Sequence, residues 1–408
     1  MLRRITIAPI LILCACGSSA SPSANPASGA PGGTGGTPEP LPTTQPVNGD
    51  GSATPSSAQP FTVTEISQFN QPWAMAVIED GPYALITEKP GQLILFHMND
   101  ASKRVVSGTP SVAYGGQGGL GDVVMAPDSD TSDSVYPLYL SWVEAGSNNT
   151  RGAVVGRANL IIDETGNGAA SLENLKIIWQ QDPKMTGYGH FSHRIAVAPD
   201  QQHIFITSGE RQEFDPAQDK NVNLGKVIRL KLDGSIPADN PFVSEGGISA
   251  QIWSLGHRNG LGLTFDAQGR LWESEMGPKG GDEVNMIRRA ENYGYPLASN
   301  GSHYDDTDIP DHVSGDGFAA PSAWWTPSIS PAGIAYYDGA MFPQWRGSLL
   351  LGALSGQALV RLQIQGNQLH KVDYWPMQRI REVEVGPDGA VWLLEDGPGA
   401  NLLKLTPN

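Results

Sequence analysis

Apolar and polar positions along this chain fall into a repeating unit: an apolar run, an acidic turn, then a second apolar run. The unit appears as AMAVIEDGPYALITE at 74–88, DVVMAPD…LYLSW at 122–142 and RIAVAPDQQHIFITSGE at 194–210. It returns as LGLTFDAQGRLWESE at 261–275, GIAYYDGAMFPQWRGSLLLGA at 333–353 and EVEVGPDGAVWLLED at 382–396. The turns carry Asp80, Asp128, Asp200, Asp266, Asp338 and Asp388. Aspartate favours turns because its carboxylate can accept a hydrogen bond from the backbone two residues on. Each unit therefore predicts a β-hairpin, and there are six. Intervals of roughly fifty to seventy residues leave room for two further strands per unit, and four-stranded units repeated around an axis make a β-propeller. The expectation is an all-β fold, a six-bladed β-propeller of four-stranded antiparallel blades, over residues 61–408. A two-sheet sandwich would want closer and more even spacing.

The first sixty residues break this pattern. MLRR followed by ITIAPILILCA has the basic start and short apolar run of an export signal. Leu13-Cys14-Ala15-Cys16 resembles a bacterial lipobox, so residues 1–16 read as a lipoprotein signal segment with Cys16 as the lipid-bearing residue. The other reading is an ordinary signal peptide with an incidental cysteine. Residues 17–60 are Ser, Pro, Gly, Thr and Ala with almost no large apolar side chain. Such a stretch buries too little surface to offset its ordering entropy and reads as a disordered tether. The expected product is an exported protein, held at the cell envelope through lipid and otherwise free of membrane contact.

Composition narrows the chemistry. Net charge is −16, which disfavours nucleic acid and anionic lipid as partners. The two cysteines are Cys14 and Cys16, so residues 61–408 have no disulfide and no thiolate chemistry. The sequence contains no GxSxG elbow, phosphate loop or dinucleotide fingerprint, which leaves acyl and phosphoryl transfer without support.

In a hairpin, the start of the first strand and the end of the second lie at the same end. Before the first strands stand Gln117 (GGQGGLGD), His190 (GYGHFSHR), Arg258 and Asn259 (GHRN), and Arg379 and Arg381 (QRIREVEV). In a propeller these positions converge on one mouth. Arginine forks match carboxylates bidentately, so three of them grouped in an acidic chain imply a polyanionic ligand. The alternative is that each arginine pairs with a local carboxylate. His190 is either a structural histidine or, if kept neutral among arginines, a general base. Gly277 and Pro278 follow the fourth hairpin and could offer carbonyls to a hard cation. Glu283, with the Tyr293 carbonyl, could hold a second one. The bland reading of that segment is a solvated glycine turn with an acidic face.

At these residues the chain resembles the bacterial PQQ-dependent aldose sugar dehydrogenases, relatives of soluble quinoprotein glucose dehydrogenase grouped with sorbosone-dehydrogenase-like proteins. The matching stretches are QPWAMAV, GGQGGLGDV, HFSHRIAVAPD, LGKVIRLKLDGSIPADNPF, LGHRNGLGLTF, SEMGPKGGDEVNMI, ENYGYP and RIREVEVGPDG. They run in family order over about residues 65–405. The resemblance implies an enzyme that oxidises the C1 hydroxyl of an aldose to the lactone, with hydride transfer to pyrroloquinoline quinone (PQQ) and electrons passed to an external acceptor. It implies His190 as the catalytic base, and Gln117, Arg258, Asn259, Tyr304, Arg379 and Arg381 around the quinone. It also implies Gly277 and Pro278 as carbonyl ligands of a Ca²⁺, with Glu283 and Tyr293 at a structural Ca²⁺. One departure is Ser355, in GALSG, where the family usually places a quinone-contacting lysine. A second is Ser192-His193, where the family has two glycines before the arginine. Ser355 is the best argument for an alternative, a non-catalytic surface propeller that binds sugar or a protein. A metal-dependent lactonase would need several carboxylates converging in the central channel, and the convergent positions show no such ring. The Trp324-Trp325 pair lies in an insertion at 297–325 expected to shape the entrance; its indole faces suit sugar stacking and equally suit packing under a loop.

Overall fold

The computed structural model describes residues 55–56, 58–79, 81–127, 134–163 and 169–408. The signal segment with Cys16, most of the expected tether, and the turn residues Asp80 and Asp128 lie outside the described residues. Among the described residues regular structure is almost entirely β, with a few single-turn 3₁₀ helices. The all-β expectation holds.

Each apolar-turn-apolar unit forms an antiparallel strand pair. The pairs are Pro72–Val77 with Tyr83–Glu88, Leu120–Met125 with Val135–Ala145, and Ser192–Val197 with His203–Ser208. They continue as Gly260–Phe265 with Leu271–Glu275, Pro331–Tyr337 with Ser348–Ala353, and Ile380–Val385 with Val391–Glu395. The turn aspartates act as their chemistry predicts. Asp200, Asp266 and Asp388 each accept from the backbone N–H two residues on, at 2.8, 2.9 and 3.0 Å.

Further strands extend these pairs into four sheets of four strands and one of eight, beside a two-stranded ribbon, among the described residues. The eight-stranded sheet is two consecutive four-stranded runs. They join at their outer edges through a short parallel pairing of Val106 and Ser107 with Ala170 and Ser171. The first strands of the six hairpins lie side by side in a closed ring, the last (Ile380–Val385) returning to the first (Pro72–Val77). The N-terminal strand Phe61–Asn70 pairs with the C-terminal strand Pro398–Pro407. Pro398–Pro407 is thereby paired on both sides, and Phe61–Asn70 forms the edge of that sheet.

Every first strand carries a register irregularity near its start, between Pro72/Ala74, Leu120/Val123, Ser192/Ile195, Gly260/Gly262, Pro331/Ile334 and Ile380/Glu382. Bulges of this kind re-aim side chains, and here they sit at the end where the candidate residues were expected. The apolar core lies between sheets. Trp272, Trp325, Trp345, Trp375 and Trp392 are its largest fully buried members. Trp325 belongs to this core, beside Trp272 and Ile334. Of the two readings open for that residue, stacking at the entrance and packing, its burial takes the second.

Candidate functional site

A cavity of about 390 Å³ opens at the expected end of the ring, a size that suits a small-molecule ligand. Gln117, Ser192, His193, Arg379 and Arg381 line it, together with Lys89, Trp73 and Asp396. Arg379 donates to Asp396 Oδ2 at 2.8 and 3.0 Å, and Arg381 to Oδ1 at 2.8 and 3.0 Å. One carboxylate therefore holds both guanidiniums, as the local-pairing alternative required, and both still face the cavity. The two arginines keep the Asp396 carboxyl below its usual range against the opposing effect of burial.

Behind the lining Trp73 is Arg194, whose guanidinium lies 4.0 Å over the Trp73 ring and which lines a second cavity. It donates to Asp122 Oδ1 at 3.2 Å, to Glu382 and to the Leu261 carbonyl. Asp122, Glu382, Glu384 and Glu79 also line that second cavity. Burial pushes Glu382 up to about 7 and Glu384 up to about 8. Sequence reasoning did not foresee this acidic group, because the strand pattern does not say which inward side chains meet.

His190 sits immediately behind the cavity wall formed by Gln117 and Phe191–His193. Its backbone N–H donates to Gln117 Oε1 at 2.7 Å. Its Nδ1 pairs with Glu210, whose other oxygen accepts from the N–H groups of Glu213 and Phe214 at 2.7 and 2.8 Å. Nδ1 is thereby assigned the hydrogen, and Nε2 has no protein partner among the described residues. Burial lowers the His190 pKa, with Arg258 and Arg211 adding to it and Glu210 opposing. The imidazole is neutral and oriented. His190, Ser192 and His193 all have φ in the left-handed region, at 49°, 57° and 62°. Such backbone costs on the order of 1–3 kcal/mol per residue and is held by its surroundings. Gly121 provides part of that accommodation, because a Cβ there would lie 1.9 Å from the His193 ring. His193 stacks on Trp73 and bonds Ser141 Oγ at 2.8 Å. It and Ser192 both line the cavity.

Arg258 and Asn259 adjoin this wall. Asn259 Oδ1 accepts from Ser192 Oγ at 3.2 Å, and its Nδ2 is buried without a partner. Arg258 donates to the carbonyls of Met276 and Gly277 at 2.9 and 2.6 Å, and its Nη2 lies 3.4 Å from the Tyr304 hydroxyl. Its Nε is buried without a partner. Tyr304 itself is 72% exposed, over the Arg258 guanidinium. Ser355 Oγ bonds Ser330 Oγ at 2.8 Å, and Ser330 lines the cavity. The orphaned donors on Arg258 and Asn259 and the cationic lining fit a polyanion such as PQQ.

The residues expected to bind a second cation form a separate buried group. Glu283 is pushed up to about 7 by burial, with Glu275 adding to it and His312 opposing. Glu273 has both carboxylate oxygens, and Glu275 one, without hydrogen-bond partners. His257 Nδ1 lies 2.9 Å from Glu273 and 3.4 Å from Glu275, and its ring stacks on Tyr293 at 4.7 Å. Despite burial, those two carboxylates raise His257 to about 10. Orphaned carboxylate oxygens suit a hard cation. The Gly277 carbonyl, by contrast, is already engaged by Arg258, so only its second lone pair remains for an ion.

The site's relatives complete the description. The sequence profile of the Glucose / Sorbosone dehydrogenase family matches residues 69–404. The chain belongs to that family. It is 36% identical to aldose sugar dehydrogenase YliI of Escherichia coli over 360 residues, 86% of this chain and 94% of that one. Among solved structures, the soluble aldose sugar dehydrogenase of Escherichia coli in its apo form superposes with a TM-score of 0.79 at 34% identity, covering 85% of this chain and all of the other. The PQQ-bound aldose sugar dehydrogenase of Streptomyces coelicolor superposes at 0.70 with 26% identity, over 87% of this chain and all of the other. The family assignment agrees with the resemblance read from the motifs.

Two further residues at the site, Glu210 and Lys89, escaped sequence reasoning. Both follow the second strand of a hairpin, as Gly277 and Asp396 do. That same rule, applied to every hairpin, would have found them.

Proposed function

We propose that this member of the Glucose / Sorbosone dehydrogenase family is a PQQ-dependent sugar dehydrogenase that oxidises the C1 hydroxyl of an aldose to the lactone. The observation that carries the reading is a neutral histidine, oriented by Glu210, beside a cavity lined by three cations and one carboxylate. PQQ, when bound, supplies the two-electron hydride acceptor that the side chains themselves lack. The chain's own residues do the rest. Arg379, Arg381, Arg258, Asn259 and Gln117 are the groups that would hold the tricarboxylate. His190 Nε2 accepts the proton of the C1 hydroxyl, and Glu210 stabilises the imidazolium that results. Trp73 and His193 wall the cavity against water.

In the same reading the ring of sheets is a six-bladed propeller, the eight-stranded sheet counting as two blades. Glu283, with Tyr293, Glu275 and Glu273 close by, would hold a Ca²⁺ that braces the loop, and the carbonyls of Gly277 and Pro278 would hold another. The protein is exported and lipid-anchored at Cys16, and passes electrons to an external acceptor. Ser355 supports the competing reading of a non-catalytic sugar-binding propeller, since its hydroxyl is tied to Ser330 and brings no charge to the cavity wall. His190→Ala decides between them. It should abolish sugar-dependent dye reduction while PQQ still binds; turnover at the level of the unmodified enzyme would remove His190 from the chemistry.

A further inference from the structure

The cavity's cations are not equivalent. Arg379 and Arg381 share Asp396, and that carboxylate is fully occupied by them. Lys89 lines the same cavity, yet its Nζ donates only to the Gly116 carbonyl at 2.8 Å. Among the described residues no carboxylate lies within ion-pair distance of it. Its backbone is pinned on both sides, the N–H to the Gln71 carbonyl at 3.0 Å and the carbonyl to the Leu120 N–H at 3.0 Å. Gly119 packs directly on that carbonyl, where a Cβ would lie 2.1 Å away. The main chain at Lys89 is therefore fixed, and only the ammonium is free to choose a partner.

A half-buried ammonium beside two guanidiniums is electrostatically unfavourable unless an anion pairs with it. Burial and Arg381 both lower its pKa, with Asp396 opposing. An anionic ligand would relieve all three cations at once. The wall formed by Ser330 and Leu354, with Ser355 bonded to Ser330, carries no charge. Beside Arg379, Arg381 and Arg258, a further positive contact to the ligand can come from the first hairpin, where Lys89 lines the cavity.

Resting on the PQQ reading above, we propose that Lys89 is a cofactor-binding residue whose ammonium pairs with an anionic oxygen of the quinone, supplying the charge that Ser355 does not. The bond to Gly116 is its resting contact. Because Gly116 adjoins Gln117, a purely supportive role for Lys89 in that loop must be separable from direct charge pairing, and charge relocation separates them.

The experiment measures PQQ affinity without turnover. Cofactor-free protein in excess Ca²⁺ is titrated with PQQ, read by quenching of tryptophan fluorescence, with melting curves to confirm folding. The variants are Lys89→Met, Lys89→Arg, Ser355→Lys and the double variant Lys89→Met/Ser355→Lys. Loss of one charge-assisted pair should weaken PQQ binding by about ten-fold or more in Lys89→Met and flatten its salt dependence. Lys89→Arg should stay near the parent. Ser355→Lys should restore affinity in the Lys89→Met background. Unchanged affinity in Lys89→Met would overturn the proposal. So would a loss that Ser355→Lys does not relieve, which would assign Lys89 to loop support through Gly116. A parent protein that binds no PQQ would instead overturn the functional reading itself.

Discussion

Replacing Glu210 by glutamine changes one oxygen into an NH₂ group and leaves the side-chain shape intact, so its effect can be worked out from the bonds present. Glu210 Oε2 accepts two loop N–H groups, those of Glu213 and Phe214, at 2.7 and 2.8 Å. Oε1 accepts one hydrogen, from His190 Nδ1. A glutamine has one acceptor oxygen to distribute. Leaving two buried N–H groups unpaired costs more than leaving one, at about 1–3 kcal/mol each. The amide oxygen therefore turns to the loop and its NH₂ turns to His190. A donor facing Nδ1 forces the imidazole hydrogen onto Nε2, the atom that must accept the substrate proton. Wrong-tautomer and lost-base effects together are worth about 10²–10⁴ in kcat. Losing Glu210 also removes the influence that raises the His190 pKa, so the imidazolium formed in the reaction loses its partner. PQQ affinity should hold, because Glu210 does not line the cavity. The assay is steady-state dye reduction across pH on PQQ-loaded protein, with cofactor binding measured separately. A Glu210→Gln enzyme with kcat within about three-fold of the parent and an unshifted pH profile would refute the orienting role.

Two other expectations follow from buried charge. Glu384 titrates near 8 instead of its usual 4.5, chiefly through burial and then through Glu382 and Asp122. A raised carboxyl pKa favours the folded state at low pH, and the advantage is lost as pH climbs from 4.5 toward 8. Glu384→Gln should therefore stabilise the protein by about 2 kcal/mol at pH 8, after discounting for partial exposure, and do little at pH 4.5. Urea unfolding at both pH values tests this, and an equal effect at both would contradict it. Ca²⁺ at about one hundred times its dissociation constant should add about 2.7 kcal/mol of stability, visible as a higher Tm. The part of the gain that comes from the Glu283 site should be lost in Glu283→Gln, and an undiminished gain in that variant would place that ion elsewhere.

The hairpins were legible because alternating apolar positions and turn aspartates are local features, and local chemistry is what a sequence displays. The mouth was legible in part for the same reason: residues just before a first strand must emerge at one end. Glu210, Lys89 and Asp396 obey the complementary rule for second-strand ends, which sequence reasoning applied only at Gly277 and Pro278. Arg379 and Arg381 line the cavity together, and their shared anchor on Asp396 follows from the hairpin register that sets Ile380 opposite Glu395 and bonds the Asp396 N–H to the Arg379 carbonyl. The group of Arg194, Asp122 and Glu382 was illegible because three first strands from distant parts of the chain bring it together. The Trp324-Trp325 pair stayed open between two readings because an indole face suits sugar and core equally well. Its pairing to Asp282–Ile287 is what buries Trp325.

If this cavity binds PQQ and His190 then drives sugar oxidation, purified protein given PQQ and Ca²⁺ should bind the quinone saturably, as followed by its absorbance. Addition of an aldose from a panel should then cause sugar-dependent loss of the oxidised quinone spectrum. Binding with no change on any aldose, or no binding, would contradict the dehydrogenase reading.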